Sequence, residues 1–106
     1  QMNYNQVLES TLTNGGFSEN NNNRFMVADS YHELIVPLNE LTSETIKGYH
    51  NRIINKGLSL GTWINENKCY LDASYGFNDK DQALSFARLH GQLAIYDTET
   101  NESIYL

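Results

Sequence analysis

One cysteine, three histidines and two carboxylates set beside aromatic residues offer this chain three kinds of chemistry. Cys69 with His50 or His90 as base would be the pairing of a cysteine hydrolase, in which the imidazole draws the proton from the thiol. His32, His50 and His90 lie 18 and 40 residues apart, so no two sit one helical turn from each other. They could hold zinc only if the fold brought them, or Cys69, together. Asp72 and Asp97 end the tripeptides YLD and IYD. On one face, two such carboxylates can divide the roles of general acid and general base in hydrolysis.

Each of these has a plain counterpart. Cys69 alternates with Leu71 and so falls on an apolar strand face, where a free cysteine is a small inert residue. The histidines read as surface or helix-end residues. Asp97 opens a turn, where aspartate is favoured, and Asp72 can bond a neighbour such as Ser74. The glycines at 15–16, 57 and 61 lack the spacing of a phosphate loop. No catalytic residue, metal-ligand set or cofactor is assigned on this evidence, and the residues lean away from an enzyme.

The elements that position these groups follow from periodicity. Residues 3–13 favour a helix, with Val7, Leu8, Thr11 and Leu12 on one face and Asn14-Gly15-Gly16 as a left-handed stop. An Asn-rich loop at 18–24 follows. FMVAD (25–29) and LIVPL (34–38) read as two strands joined by a turn at 30–32, with Pro37 at an edge or an end. A helix capped by Thr42 or Ser43 then carries Ile46, Tyr49, Ile53 and Ile54 as a stripe and stops at Gly57. The stretch GTWINENKCYLDASYGF (61–77) reads as a hairpin turning at Glu66-Asn67, which sets Ile64 opposite Cys69, Trp63 opposite Tyr70 and Thr62 opposite Leu71. A third helix starts at Asp79, with Gln82 at capping-box spacing, and ends at Gly91. LAIYD (93–97) and SIYL (103–106) close the chain as a last hairpin, with Leu93, Ile95, Ile104 and Leu106 toward the core.

The order is α-ββ-α-ββ-α-ββ: one α+β domain over residues 1–106, largely antiparallel, with about three helices on one side of the sheet. Alternation puts Trp63, Tyr70, Asp72, Tyr96 and Tyr105 on the other side. Left uncovered, that aromatic face would suit a protein interface, self-association included. Folded over by the first helix or a loop, it would instead be a second small core.

Bulk composition narrows the partners. A net charge of −6, from seven Lys and Arg against thirteen Asp and Glu, supplies no basic stripe for phosphates, so direct nucleic-acid binding is not expected. It suits a basic protein partner, or blockade of a nucleic-acid-handling enzyme if Glu66, Asp72, Asp97, Glu99 and Glu102 gather at one end. No apolar run is long enough to span a membrane, no leader is evident, and a single Cys fits a reducing compartment, so the expected location is the cytoplasm. Gln1 before Met2 reads as a residue added ahead of the natural start.

The segments NGGF, VPLNELT, LGTW, CYLDAS, GQLAIYD and ESIYL, from Asn14 to Leu106, together resemble a group of small uncharacterised bacterial proteins. Those proteins occur in phage, plasmid and integrated mobile-element contexts. The resemblance implies that setting and assigns no activity, cofactor or site residue. The expectation is therefore a small acidic cytoplasmic binding module acting through its aromatic face. Enzyme inhibition by acidic blockade, and hydrolysis by Asp72 with Asp97, are the alternatives.

Overall fold

The computed structural model describes residues 2–19 and 22–106; Gln1, and Asn20 and Asn21 of the expected loop, lie outside the described residues. Helix α1 (Tyr4–Asn14) begins where the Asn3 side chain accepts from the Asn5 and Gln6 N–H groups. It ends at Gly15, whose φ of 84° is the left-handed stop expected. Strand β1 (Gly16–Ser18) follows at once, then β2 (Phe25–Pro37), a single turn of 3-10 helix at Leu38–Glu40, and helix α2 (Ser43–Ile54), capped by Thr42. The hairpin β3 (Ser59–Asn65) and β4 (Lys68–Phe77) precedes helix α3 (Lys80–Leu89), capped by Asp79, and the hairpin β5 (Ala94–Asp97) and β6 (Glu102–Tyr105) completes the chain.

The six strands form one antiparallel sheet in the order β1-β3-β4-β2-β5-β6. All three helices cover the same side. Val7 of α1 and Ile46, Tyr49 and Ile53 of α2 pack on Leu60, Cys69, Leu71, Ala73 and Val36. Ala83 and Ala87 of α3, small enough for close approach, pack on Phe25, Val27 and Ile95 in a separate second cluster. The α+β class and the three α-ββ units are as the sequence implies.

The first pair of strands is built differently from the expectation. Residues 25–29 and 34–38 are not a hairpin. Phe25 to Pro37 is one strand, interrupted by a bulge. Asp29 pairs with Ala73 and Leu34 with Leu71, so β2 advances five residues while β4 advances two. A reversal at Ser30-Tyr31-His32 would need a left-handed residue, and none occurs there. Instead the Asp29 carboxylate fastens the bulge by accepting from the Tyr31 N–H at 3.0 Å and bonding His32 Nδ1 at 2.9 Å, while the Tyr49 hydroxyl donates to the His32 carbonyl. The second strand of that unit is β1, three residues long and paired with β3.

Four side chains expected in the core lie outside it: Leu12, Ile54, Leu93 (80% exposed) and Leu106. Leu93 precedes β5 rather than lying in it, and Ile54 is the last residue of α2, past the packed stripe.

The β3–β4 register is the expected one, including Trp63 opposite Tyr70. Its turn holds Glu66 at φ 50° and Asn67 at φ 66°, a mirror-type turn that suits Asn-Gly and strains a glutamate. Changing Glu66→Asn together with Asn67→Gly is expected to stabilise the protein by about 0.5–1 kcal/mol. A higher urea midpoint at unchanged slope would show it.

Candidate functional site

The side of the sheet away from the helices carries a concave groove of about 550 Å³. Strand alternation builds it. Gly61 and Ser59 on β3, with Ser74 on β4, give a low floor; Trp63 stands at one wall and Met26 and Tyr96 at the other. Asp72, paired with Gly61, rises from the middle.

Trp63 is held on two sides. Its ring stacks on Tyr70 with centroids 4.1 Å apart and planes 10° from parallel, and its indole N–H donates to Asp72 Oδ2 at 2.9 Å. Toward β1 its cross-strand neighbour is Gly16, which has no side chain. A Cβ there would lie 2.8 Å from the Thr62 carbonyl oxygen. Trp63 and Tyr96 remain 42% and 40% exposed. The Tyr96 hydroxyl donates to the Asn101 amide oxygen at 3.1 Å, which fixes the far wall. Burial raises the Asp72 carboxyl to about 6; the Trp63 N–H pulls against that rise and the Glu33 carboxylate adds to it.

Of the five residues expected on this face, Trp63, Asp72 and Tyr96 line the groove. Tyr70 backs the indole, and Tyr105, 76% exposed, stands on β6 at the outer edge of the sheet. None of the three helices covers the face, so the alternative in which α1 folds over it is not the one realised. Sequence reading missed Met26 and Gly61. Their parity in the strands was the available signal, but Met26 is as apolar as its core-facing neighbours Phe25 and Val27, and glycine makes no apolar pattern.

Asp97 does not join Asp72. It pairs with Phe25, a residue of the helix-covered face, and is 3% exposed. Arg24 Nε and Nη2 donate to its two oxygens at 3.0 and 2.9 Å, and it also accepts from the Glu99 N–H, so it is a turn and ion-pair residue as well as a strand end. The Arg24 hydrogen bond holds it down at about 2. The two carboxylates therefore cannot share a substrate, because the sheet lies between them. The acids whose gathering at one end would favour blockade are also divided. Glu66 is in the turn beside the Lys68–Pro37 pair, whereas Asp97, Glu99 and Glu102 are at the opposite end, with Phe25.

Cys69 is buried under the helices, and burial raises its thiol. His50 is not a surface residue: it is 3% exposed, bonded through Nδ1 to the Tyr4 hydroxyl at 2.7 Å, with Nε2 3.4 Å from Glu19 Oε1. His32 pairs with Asp29, and His90 stacks on Phe86 at the end of α3. No group of three or more potential metal ligands occurs among the described residues. Among the same residues no helix is long and apolar enough to cross a membrane.

No family model matches the chain, and neither a curated protein nor a solved structure is significantly similar to it.

Proposed function

We propose that the chain is a non-enzymatic binding module that engages a protein partner through the open face of its sheet. The observation that carries this reading is the groove itself: Trp63, braced by Tyr70 and Asp72, and Tyr96 face solvent across a floor of glycine and serine. Fixed aromatic rings with a polar surround lose little entropy when they are covered, which is what an interface exploits. The acidic balance of the chain suits a basic partner. The cytoplasm of a bacterium carrying phage or other mobile elements is the proposed setting, resting on the segments quoted above. Acidic blockade is less well supported, since the carboxylates are split between two ends of the sheet. Hydrolysis is less well supported because Asp72 and Asp97 face opposite ways.

A photo-crosslinking phenylalanine analogue placed at Tyr96, in cells of a candidate host, tests this. A discrete adduct is expected there, lost when Trp63→Ala is added, with none from the same analogue at Lys47 on the exposed side of α2. Adducts from Lys47 alone would move the working surface to the helices and refute the proposal. An adduct with a second copy of the chain would identify the partner as itself.

A further inference from the structure

The outer edge of the sheet at β6 is open, and its backbone shows what would close it. The Leu106 N–H donates to the Leu93 carbonyl at 3.0 Å, so by antiparallel alternation Glu102, Ile104 and Leu106 turn their backbone groups toward β5. The N–H and C=O groups of Ser103 and Tyr105 therefore point outward, where no strand among the described residues pairs with them. β6 carries none of the devices that keep an edge solitary: it has no proline, no lysine and no bulge. The opposite edge, β1, is only three residues long. Packing above β6 is incomplete too. Helix α3 turns Phe86 toward Tyr75 and Phe77 of β4, so its other flank, with Leu84 and, one turn on, Arg88, faces β6. That flank does not reach across the strand. Ile104 is only half-buried, and Leu93 and Leu106, on the same side of the sheet, are exposed.

We propose that β6 pairs antiparallel with β6 of a second copy about a two-fold axis, making one continuous sheet from two chains. The outward groups set the register. Ser103 of each copy faces Tyr105 of the other, so that each such pair exchanges both of its N–H···O bonds, and Ile104 stands opposite Ile104 of the second copy as a pair without hydrogen bonds. Glu102 then falls opposite Leu106 of the second copy, at the end of α3 where Arg88 stands, so the one acid of each edge meets a guanidinium and not another carboxylate. On the helix side, Leu93, Ile104 and Leu106 of both copies gather between the two α3 flanks and lose water. Any extended chain could copy the backbone pairing; a second copy supplies the isoleucine, the leucines and the opposed charges in a single register, which is why it is the occupant. Both grooves then open on the same face of the joined sheet. The pairing itself stands apart from the open-face reading of function above.

Sedimentation of the purified protein across a range of concentrations is expected to show a monomer–dimer equilibrium. Tyr105→Pro removes the outward N–H, which an edge strand tolerates, and is expected to weaken the dimer on the order of tenfold or more. Tyr105→Thr keeps that N–H and is expected to weaken it less. Disulfide trapping reads the position. Residues facing each other without hydrogen bonds have Cα atoms about 4.5 Å apart, within disulfide reach, so Ile104→Cys is expected to give a covalent dimer under mild oxidation. Ser103→Cys, which faces Tyr105 of the second copy and not itself, is expected to give little. The native Cys69 is buried and does not compete. A monomer at every concentration, equal weakening by the two Tyr105 variants, or trapping at 103 as readily as at 104 would each overturn the inference. Should Tyr105→Pro fail to fold, the two cysteine variants decide it alone.

Discussion

Replacing Leu71 by alanine is expected to cost the fold about 2–5 kcal/mol, a large share of the roughly 5–15 kcal/mol that holds a domain of this kind together. Leu71 is fully buried on β4, between Thr62 of β3 and Leu34 of β2, under the stripe of α2. Its neighbours are fixed by strand pairing on both sides and cannot collapse into the space it leaves. Ile35→Ala is the matching substitution on the other side of the sheet, where Ile35 pairs with Tyr70 and is half-exposed. That change is expected to cost about 1 kcal/mol or less, in proportion to the area it had buried. Urea denaturation of the pair measures the sidedness of the sheet directly. Similar losses for both would mean that something covers the open face.

Asp72→Asn is expected to stabilise the protein above pH 6 and to leave it nearly unchanged near pH 4. In the fold the Asp72 carboxyl titrates at about 6, against 3.8 for an unperturbed aspartate. A raised carboxyl holds its proton more tightly in the fold than in the unfolded chain. Its contribution is therefore most favourable at low pH, is lost as pH rises from 3.8 to 6, and is a constant penalty above that. Because Asp72 is only half-buried, solvent screening reduces the penalty to on the order of 1–2 kcal/mol. The groups nearest to it are the Trp63 N–H, which does not titrate here, and Glu33, whose ionisation adds to the penalty. Asp97 acts in the opposite sense and in a lower window. Its depressed carboxyl stabilises the fold above 3.8, an effect lost as pH falls through about 2. Thermal unfolding of wild type and Asp72→Asn from pH 4 to 8 should show curves that diverge between these limits and then run parallel. A variant that is more stable yet gives fewer adducts at Tyr96 would mark Asp72 as a residue kept for binding at the expense of the fold.

The hairpin at 59–77 was legible in the sequence because every local signal agreed: alternation, a two-residue turn, and an aromatic pair that falls in register. The helix caps at Thr42 and Asp79 were legible for the same reason. What the sequence hid depends on distant partners. Ser30 to Glu33 look like a turn because they are polar, but these four residues of one strand stand against Asp72 alone, an excess of three tied back by Asp29 and Tyr49. Gly16 to Ser18 have too little length to read as a strand, and exist as one because β3 offers them an edge. Asp72 and Asp97 look alike beside their aromatics. Only strand parity and the arrival of Arg24, 73 residues away, send them to opposite faces with opposite shifts. The groove needed both the unbroken β2 and the placement of β5 beside it, neither of which periodicity can supply.

The bulge in β2 lies at the seam between the two core clusters. The residues after it, Leu34 and Val36, pack with α1 and α2, whereas those before it, Phe25 and Val27, pack with α3. Beyond β2, the last hairpin is joined to the sheet through two register pairs only, Phe25 with Asp97 and Met26 with Tyr96. The protein thus has two core clusters on one backbone. The elements of the smaller one, α3 with β5 and β6, are expected to exchange their amides with solvent faster than those of the larger, which hydrogen–deuterium exchange would measure. The groove straddles that division, with Trp63 in the larger unit and Tyr96 in the smaller. An occupant touching both walls fastens one unit to the other, and the slowing of exchange then reaches amides in β6 that the occupant never meets.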